Sequence, residues 1–131
     1  MVKGLITLAS RHSPKETADK IAGAVAKHGL TLVARVDHAA AAAKVDLDLR
    51  PTEVLIFGNP SAGTLLMQSV QTIGLDLPLK ALVWQDDTDR VWVSYQDVAW
   101  LADRYGLTPD ARAVIEKMAG LLKAIVDEAS G

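Results

Sequence analysis

Three stretches of this chain hold residues whose types and spacing could do chemistry. The first is Gly58-Asn59-Pro60-Ser61-Ala62-Gly63-Thr64, which has the glycine spacing of a phosphate loop. In such a loop a lysine follows the second glycine and supplies charge to the terminal phosphates. Here Thr64 stands directly after Gly63, and Pro60 removes one backbone N–H from any cradle. A nucleoside triphosphate site is therefore not expected. Two readings remain. One is a weaker site for a small anionic molecule, a carboxylate or phosphate, at a helix N-terminus, where unpaired N–H groups and the dipole favour negative charge. The other is a tight turn capped by Ser61 or Thr64.

The second stretch is Asp37-His38, which has the composition of a carboxylate–imidazole dyad. Adjacency argues against one, because neighbours on a strand point to opposite faces and Asp37 is placed to cap a helix. A partner for His38 must come from elsewhere, such as Asn59 or Tyr95. With a partner, His38 could serve as a general base; otherwise it is a structural, hydrogen-bonded histidine. The third is Arg50, before Pro51. It could bind an anion, or pair with a nearby carboxylate such as Glu53.

Other chemistry is poorly supplied. The sequence has no cysteine, which excludes disulfides, thiolate catalysis, zinc-thiolate sites and iron–sulfur ligation. His12, His28 and His38 lack metal-ligand spacing, and His28 falls at a helix C-terminus, where a cation complements the dipole. The turn Asp86-Asp87-Thr88-Asp89 lacks the calcium-loop spacing and terminal glutamate. No G-x-S-x-G element is present. No metal and no cofactor are expected.

The elements that must position these residues are well punctuated. Leu5 to Ala9 reads as a strand. Ser13-Pro14-Lys15-Glu16 is a capping box with proline at the first helical position. Ala18, Ile21, Ala22 and Val25 follow at helical spacing, and Gly29 ends the helix in the left-handed conformation. Leu30 to Asp37 is a second strand, with Leu32, Ala34 and Val36 expected on one face and Val33 and Arg35 on the other. Asp37 caps a short helix through Ala39–Ala43. Glu53 to Phe57 reads as a buried strand and leads to a helix from about Ser61 to Ile73, stopped by Gly74. Leu79–Gln85 and Arg90–Tyr95 form a hairpin around the acidic turn, with Trp84 and Trp92 flanking it as packing residues. Asp97 caps a short helix ending at Gly106. Thr108-Pro109 opens the last, with Val114, Met118, Leu121, Leu122 and Ile125 on one face.

The order β-α-β-α-β-α-β-β-α-α predicts a two-layer α+β domain, with helices covering a curved, largely antiparallel sheet. With 131 residues, the chain fits a single domain, 1–131, with a core of about 4–106 and a C-terminal helix of about 109–129. The net charge of -2 and the absence of any Lys/Arg run argue against nucleic acid. Every apolar run is cut by charge or glycine before about 18 residues, so no membrane span is expected. Lys3 and the apolar stretch after it fit a first strand better than a signal peptide, and the chain reads as intact and cytoplasmic. Hydrophobic residues make up 50% of the chain. That surface suits either an alanine-rich core or a subunit interface.

Asp37-His38-Ala39, Leu49-Arg50-Pro51-Thr52-Glu53, Phe57-Gly58-Asn59-Pro60, Gly63-Thr64, Leu66-Met67, Leu82-Val83-Trp84 and Val91-Trp92-Val93-Ser94-Tyr95 together form a recognisable pattern. With these the chain resembles the bacterial family catalogued as domain of unknown function 302, from the first strand to about Gly106. The Phe57–Thr64 and Leu82–Tyr95 blocks are the most specific. The resemblance implies an α+β fold of the TATA-box-binding-protein-like class in a homodimer. It implies no nucleic-acid binding, since fold does not carry function, and it supplies no agreed activity or catalytic residue. Asp87-Thr88-Asp89 replaces a glycine frequent in the family's last hairpin turn, and Asp97-Val98 replaces Asp-Pro. Both departures concern turn geometry and the start of a helix.

The resulting expectation is a homodimeric small-ligand-binding or accessory module. Its pocket is expected to be small, polar and open to an anion, built from His38, Asn59 and Thr64, with Arg50 and Tyr95 as further candidates. The competing expectations are a small enzyme using His38 as general base and a purely structural interaction protein. Convergence of His38 and Asn59 requires the second and third strands to run parallel.

Overall fold

The computed structural model describes residues 2–131. Five strands form one sheet in the order β1-β5-β4-β3-β2: β1 (Leu5–Ala9), β2 (Thr31–Asp37), β3 (Thr52–Gly58), β4 (Leu79–Gln85) and β5 (Val91–Gln96). Every neighbouring pair is antiparallel. Five α-helices accompany it: α1 (Pro14–Lys27), α2 (His38–Ala43), α3 (Pro60–Ser69), α4 (Val98–Arg104) and α5 (Pro109–Ser130). The α+β class and the element order are those the sequence predicts.

Local chemistry sets the boundaries. Ser13 Oγ accepts the Glu16 N–H at 3.1 Å and starts α1. Gly29, at φ +74°, lets the chain leave it, and the Leu30 N–H returns to the Val25 carbonyl at 2.9 Å. Asp37 caps α2 through the Ala40 N–H at 2.9 Å, and Asp97 caps α4 through Ala99 at 3.1 Å. The third helix differs from expectation at both ends. It starts at Pro60, because Asn59 and not Ser61 or Thr64 is its cap. It stops at Ser69, because Val70 takes an extended conformation (φ -139°, ψ 99°), and a 3-10 turn over Gln71–Leu75 follows.

One face of the sheet carries Leu55, Phe57, Ala81, Val83, Val93 and Tyr95, all buried in the single hydrophobic cluster of the described residues. Ile21 and Val25 of α1 and Ile115, Leu122 and Ile125 of α5 join them. This packing supplies the dominant stabilisation, at roughly 1.5–3 kcal/mol for each large aliphatic side chain removed from water. The other face carries Val36, Val54, Ile56, Leu82, Trp84 and Trp92. All of these remain at least partly exposed.

The second strand contains an irregularity that alternation does not reveal. Leu32 pairs with Phe57 whereas Ala34 pairs with Ile56, so the register shifts at Val33. Phe57 and Ile56 are neighbours on β3 and face opposite ways. Leu32 therefore does not share a face with Ala34 and Val36, as strict alternation predicts. The bulge at Val33 has exchanged them.

Candidate functional site

The antiparallel pairing of β2 and β3 decides where the candidate residues lie. Asp37 stands opposite Glu53 and Thr31 opposite Gly58. His38 therefore follows one end of the strand pair, and Asn59 follows the other. Six residue steps at about 3.3 Å each put roughly 20 Å between those ends. The pocket expected from His38, Asn59 and Thr64 is not assembled, because these strands are joined antiparallel rather than by a parallel crossover.

His38 is exposed in the first turn of α2, and among the described residues its ring makes no hydrogen bond. Neither the general-base partner nor the structural hydrogen bond expected of it is present. Arg50 lies toward the same end of the sheet and is exposed. Its expected carboxylate, Glu53, is taken by Arg35, which forks onto it with Nε at 2.9 Å and Nη2 at 3.0 Å. Tyr95 sits on β5, buried on the helical face and separated from β3 by β4. Burial, followed by the Asp127 carboxylate, raises its phenol above the ordinary value.

The N-terminus of α3 is equally changed from expectation. Asn59 Oδ1 accepts the N–H groups of Ser61 at 2.9 Å and Ala62 at 3.5 Å, and the Asn59 carbonyl accepts that of Gly63 at 3.0 Å. Pro60 has no N–H to give. Among the described residues, the first turn is thus left with no free donor for a carboxylate or phosphate. The anion site fails because its own cap fills it.

Asn59 and Thr64 do meet elsewhere, in a concavity of about 320 Å³ between β3, α3 and the segment leading into β4. Val33, Gly63, Met67, Leu77 and Met118 complete most of its wall, and no lining residue carries a charge. The wall is mostly apolar, with Thr31, Asn59 and Thr64 as its polar side chains, and differs from the polar pocket that the sequence suggests. The bulge brings Val33 to this rim. Sequence reasoning missed Val33, Leu77 and Met118, since nothing in their local pattern distinguishes them from ordinary strand, loop and helix residues. Gly63, by contrast, falls within the recognised motif.

A wider, charged crevice of about 650 Å³ lies at the His38 end of the sheet. Its walls include Lys15, Asp19, Arg35, Asp37 and Glu53, but not His38. Its cations are already committed. Arg35 Nη1 donates to Asp19 at 3.0 Å and Lys15 donates to the same carboxylate at 3.0 Å. Lys15 and then Arg35 hold Asp19 below the ordinary carboxylate range. Two cations against three carboxylates make this crevice unsuited to an anion.

At the hairpin turn, Asp86 is occupied by the turn itself. Its Oδ1 accepts from the Thr88 N–H and hydroxyl and from the Arg90 N–H, and its Oδ2 accepts from the Trp92 indole. Among the described residues no group of histidine, aspartate and glutamate side chains could hold a metal ion.

The sequence matches the family described as Domain of unknown function DUF302 across residues 6–125. The chain belongs to this family. The match takes in most of α5, whereas the motifs recognised in the sequence end near Gly106. A solved structure of an uncharacterised conserved DUF302 protein from Bacillus stearothermophilus superposes with a TM-score of 0.86. It covers 98% of this chain and 99% of that one at 16% identity, a likeness of fold.

Two curated relatives of this DUF302 chain carry a more specific name. A protein of Brucella suis biovar 1 named Fluoride-specific ion channel FluC 1 is 47% identical over 115 residues, 88% of this chain and 45% of that protein. One of Brucella melitensis biotype 1, named Fluoride-specific ion channel FluC 2, is likewise 47% identical, over 43% of its length. The DUF302 chain thus spans less than half the length of these relatives. No helix of the described residues is long and apolar enough to cross a membrane.

Proposed function

We propose that this chain is a homodimeric binding or accessory module, and that a second copy docks on its partly exposed sheet face. The observation that carries this reading is the contrast between the two faces of one sheet. Leu55, Ala81, Val83 and Val93 are sealed against helices. Val54, Ile56, Leu82 and the stacked pair Trp84 and Trp92, with ring centroids 6.2 Å apart, line a second, mostly apolar face that stays partly open and also carries Thr7, Thr52, Lys80 and Ser94. Five strands about 4.8 Å apart and about six residues long give that face a flat footprint of roughly 500 Å². Side-chain relief brings this toward the roughly 800 Å² per partner of a standard interface. A two-fold axis sets the same patch against itself, as an isologous dimer requires.

The Brucella relatives support the accessory half of the reading, since they join a unit similar to this one to further chain. In such a protein this unit would serve as an accessory to the rest of the chain. The channel's ion is not carried over to this unit, whose first α3 N–H groups already have acceptors. An enzyme based on His38 gains no support, because His38 lines none of the concavities described above.

Light scattering on the purified chain tests the proposal. A dimer is expected at micromolar concentration, and Val54→Lys is expected to give a folded monomer. A wild-type monomer under the same conditions would overturn it.

A further inference from the structure

The apolar concavity beside α3 has features that ordinary packing does not require. The register shift in β2 places Val33 at its rim, leaving that side chain 61% exposed. Bulges of this kind re-aim a side chain at the cost of ladder pairing. Gly63 lines the concavity from inside α3, where a glycine weakens a helix relative to alanine. A Cβ there would meet nothing closer than Leu77 Cδ1 and Met67 Cε, both at 3.9 Å. The packing therefore accommodates a methyl group at this position in ordinary van der Waals contact. Its absence keeps the volume open.

Two other glycines on the wall are different. A Cβ on Gly58 would come within 3.3 Å of Pro78 Cβ, and one on Gly74 within 3.0 Å of Met67 Sδ. These two are explained by close approach, whereas Gly63 is not.

The lining chemistry selects the occupant. Met67, Leu77, Leu79 and Met118 supply apolar surface, and the unbranched methionines can adapt to varied shapes. No charged side chain takes part, so an ionic headgroup would find no partner. Polar capacity sits in Thr31, Asn59 and Thr64. Among the described residues, the Thr31 and Thr64 hydroxyls and the Asn59 Nδ2 donate to no protein acceptor.

We propose that this pocket binds a small neutral amphiphile: an apolar body seated between Gly63, Met67 and Leu77, with one hydrogen-bonding group held by Asn59 or Thr64. The volume of about 320 Å³ lies at the lower end of the range for small-molecule sites, roughly 300–1,000 Å³. The proposal deepens the binding-module reading and does not depend on the dimer.

The test uses straight-chain alcohols from butanol to octanol as probes, with titration calorimetry on the full chain. Saturable binding to one site is expected. Affinity should rise roughly fourfold per added methylene until the chain fills the pocket. Gly63→Leu should abolish binding while keeping or raising the melting temperature, because it fills space and improves the helix. Val33→Asp, at an exposed rim position, is expected to weaken binding at least about tenfold by placing a charge beside apolar surface. It keeps the question answerable if Gly63→Leu does not fold. Absence of saturable octanol binding, or binding undiminished in both variants, would overturn the proposal. Light scattering on the same samples separates the two readings. A monomer that still binds octanol sinks only the dimer, and a dimer that does not bind sinks only the pocket.

Discussion

Trp92 donates its indole N–H to Asp86 Oδ2 at 2.8 Å, tying β5 to the hairpin turn that precedes it. That contact first, then the Thr88 hydroxyl and the backbone N–H groups of Arg90 and Thr88, hold the Asp86 carboxyl well below the ordinary range. A carboxyl depressed in this way stabilises the fold fully above its unfolded value of about 3.9, and the contribution is lost as pH falls toward the folded value. Asp86→Ala should therefore lower the melting temperature by an amount that is constant from about pH 5 to about pH 8 and shrinks below about pH 4. Calorimetric scans across this range check it. A deficit unchanged down to about pH 2 would contradict the assignment.

His38→Ala should leave the fold intact. The imidazole is exposed and makes no hydrogen bond among the described residues, while Asp37 supplies the α2 cap. Alanine is also the better helix former. Urea unfolding should place the variant within about 0.5 kcal/mol of the parent chain, the usual range for surface changes. A loss above about 2 kcal/mol would show a buried role that this geometry does not contain.

ATP and GTP should not bind. The loop after β3 has Thr64 where a phosphate loop has lysine, and Asn59 occupies the N–H groups that would face a phosphate. Thermal shift with magnesium and either nucleotide should show no change. A saturable rise in melting temperature would mean that a ligand stabilises the native state by mass action after all.

Much of the fold is legible in the sequence because its signals are local. Ser13, Asp37, Asp97 and Thr108 each accept the backbone N–H that their position predicts. Gly29 and Gly106 have the positive φ expected where helices end. These devices act within four residues of themselves, so a sequence carries them whole. The α3 cap lies two residues or more from Ser61 and Thr64, the caps that the sequence suggests, because Asn59, Ser61 and Thr64 are all competent caps. Only backbone geometry chooses among them.

The site belongs to the other category. By itself the sequence determined the α+β class, the element order, the absence of a phosphate-loop lysine and the absence of cysteine chemistry. It could not determine the relative direction of β2 and β3, and that one fact separates His38 from Asn59 and reunites Asn59 with Met118, 59 residues further along the chain. Strand pairing is settled by long-range packing, through which residues of β3 reach α1 and join the common core. Its cost in chain entropy is met only when the whole core closes. The bulge at Val33 is of the same kind. It satisfies Leu32 against Phe57 and Ala34 against Ile56 at once, and no pattern within β2 alone records that compromise.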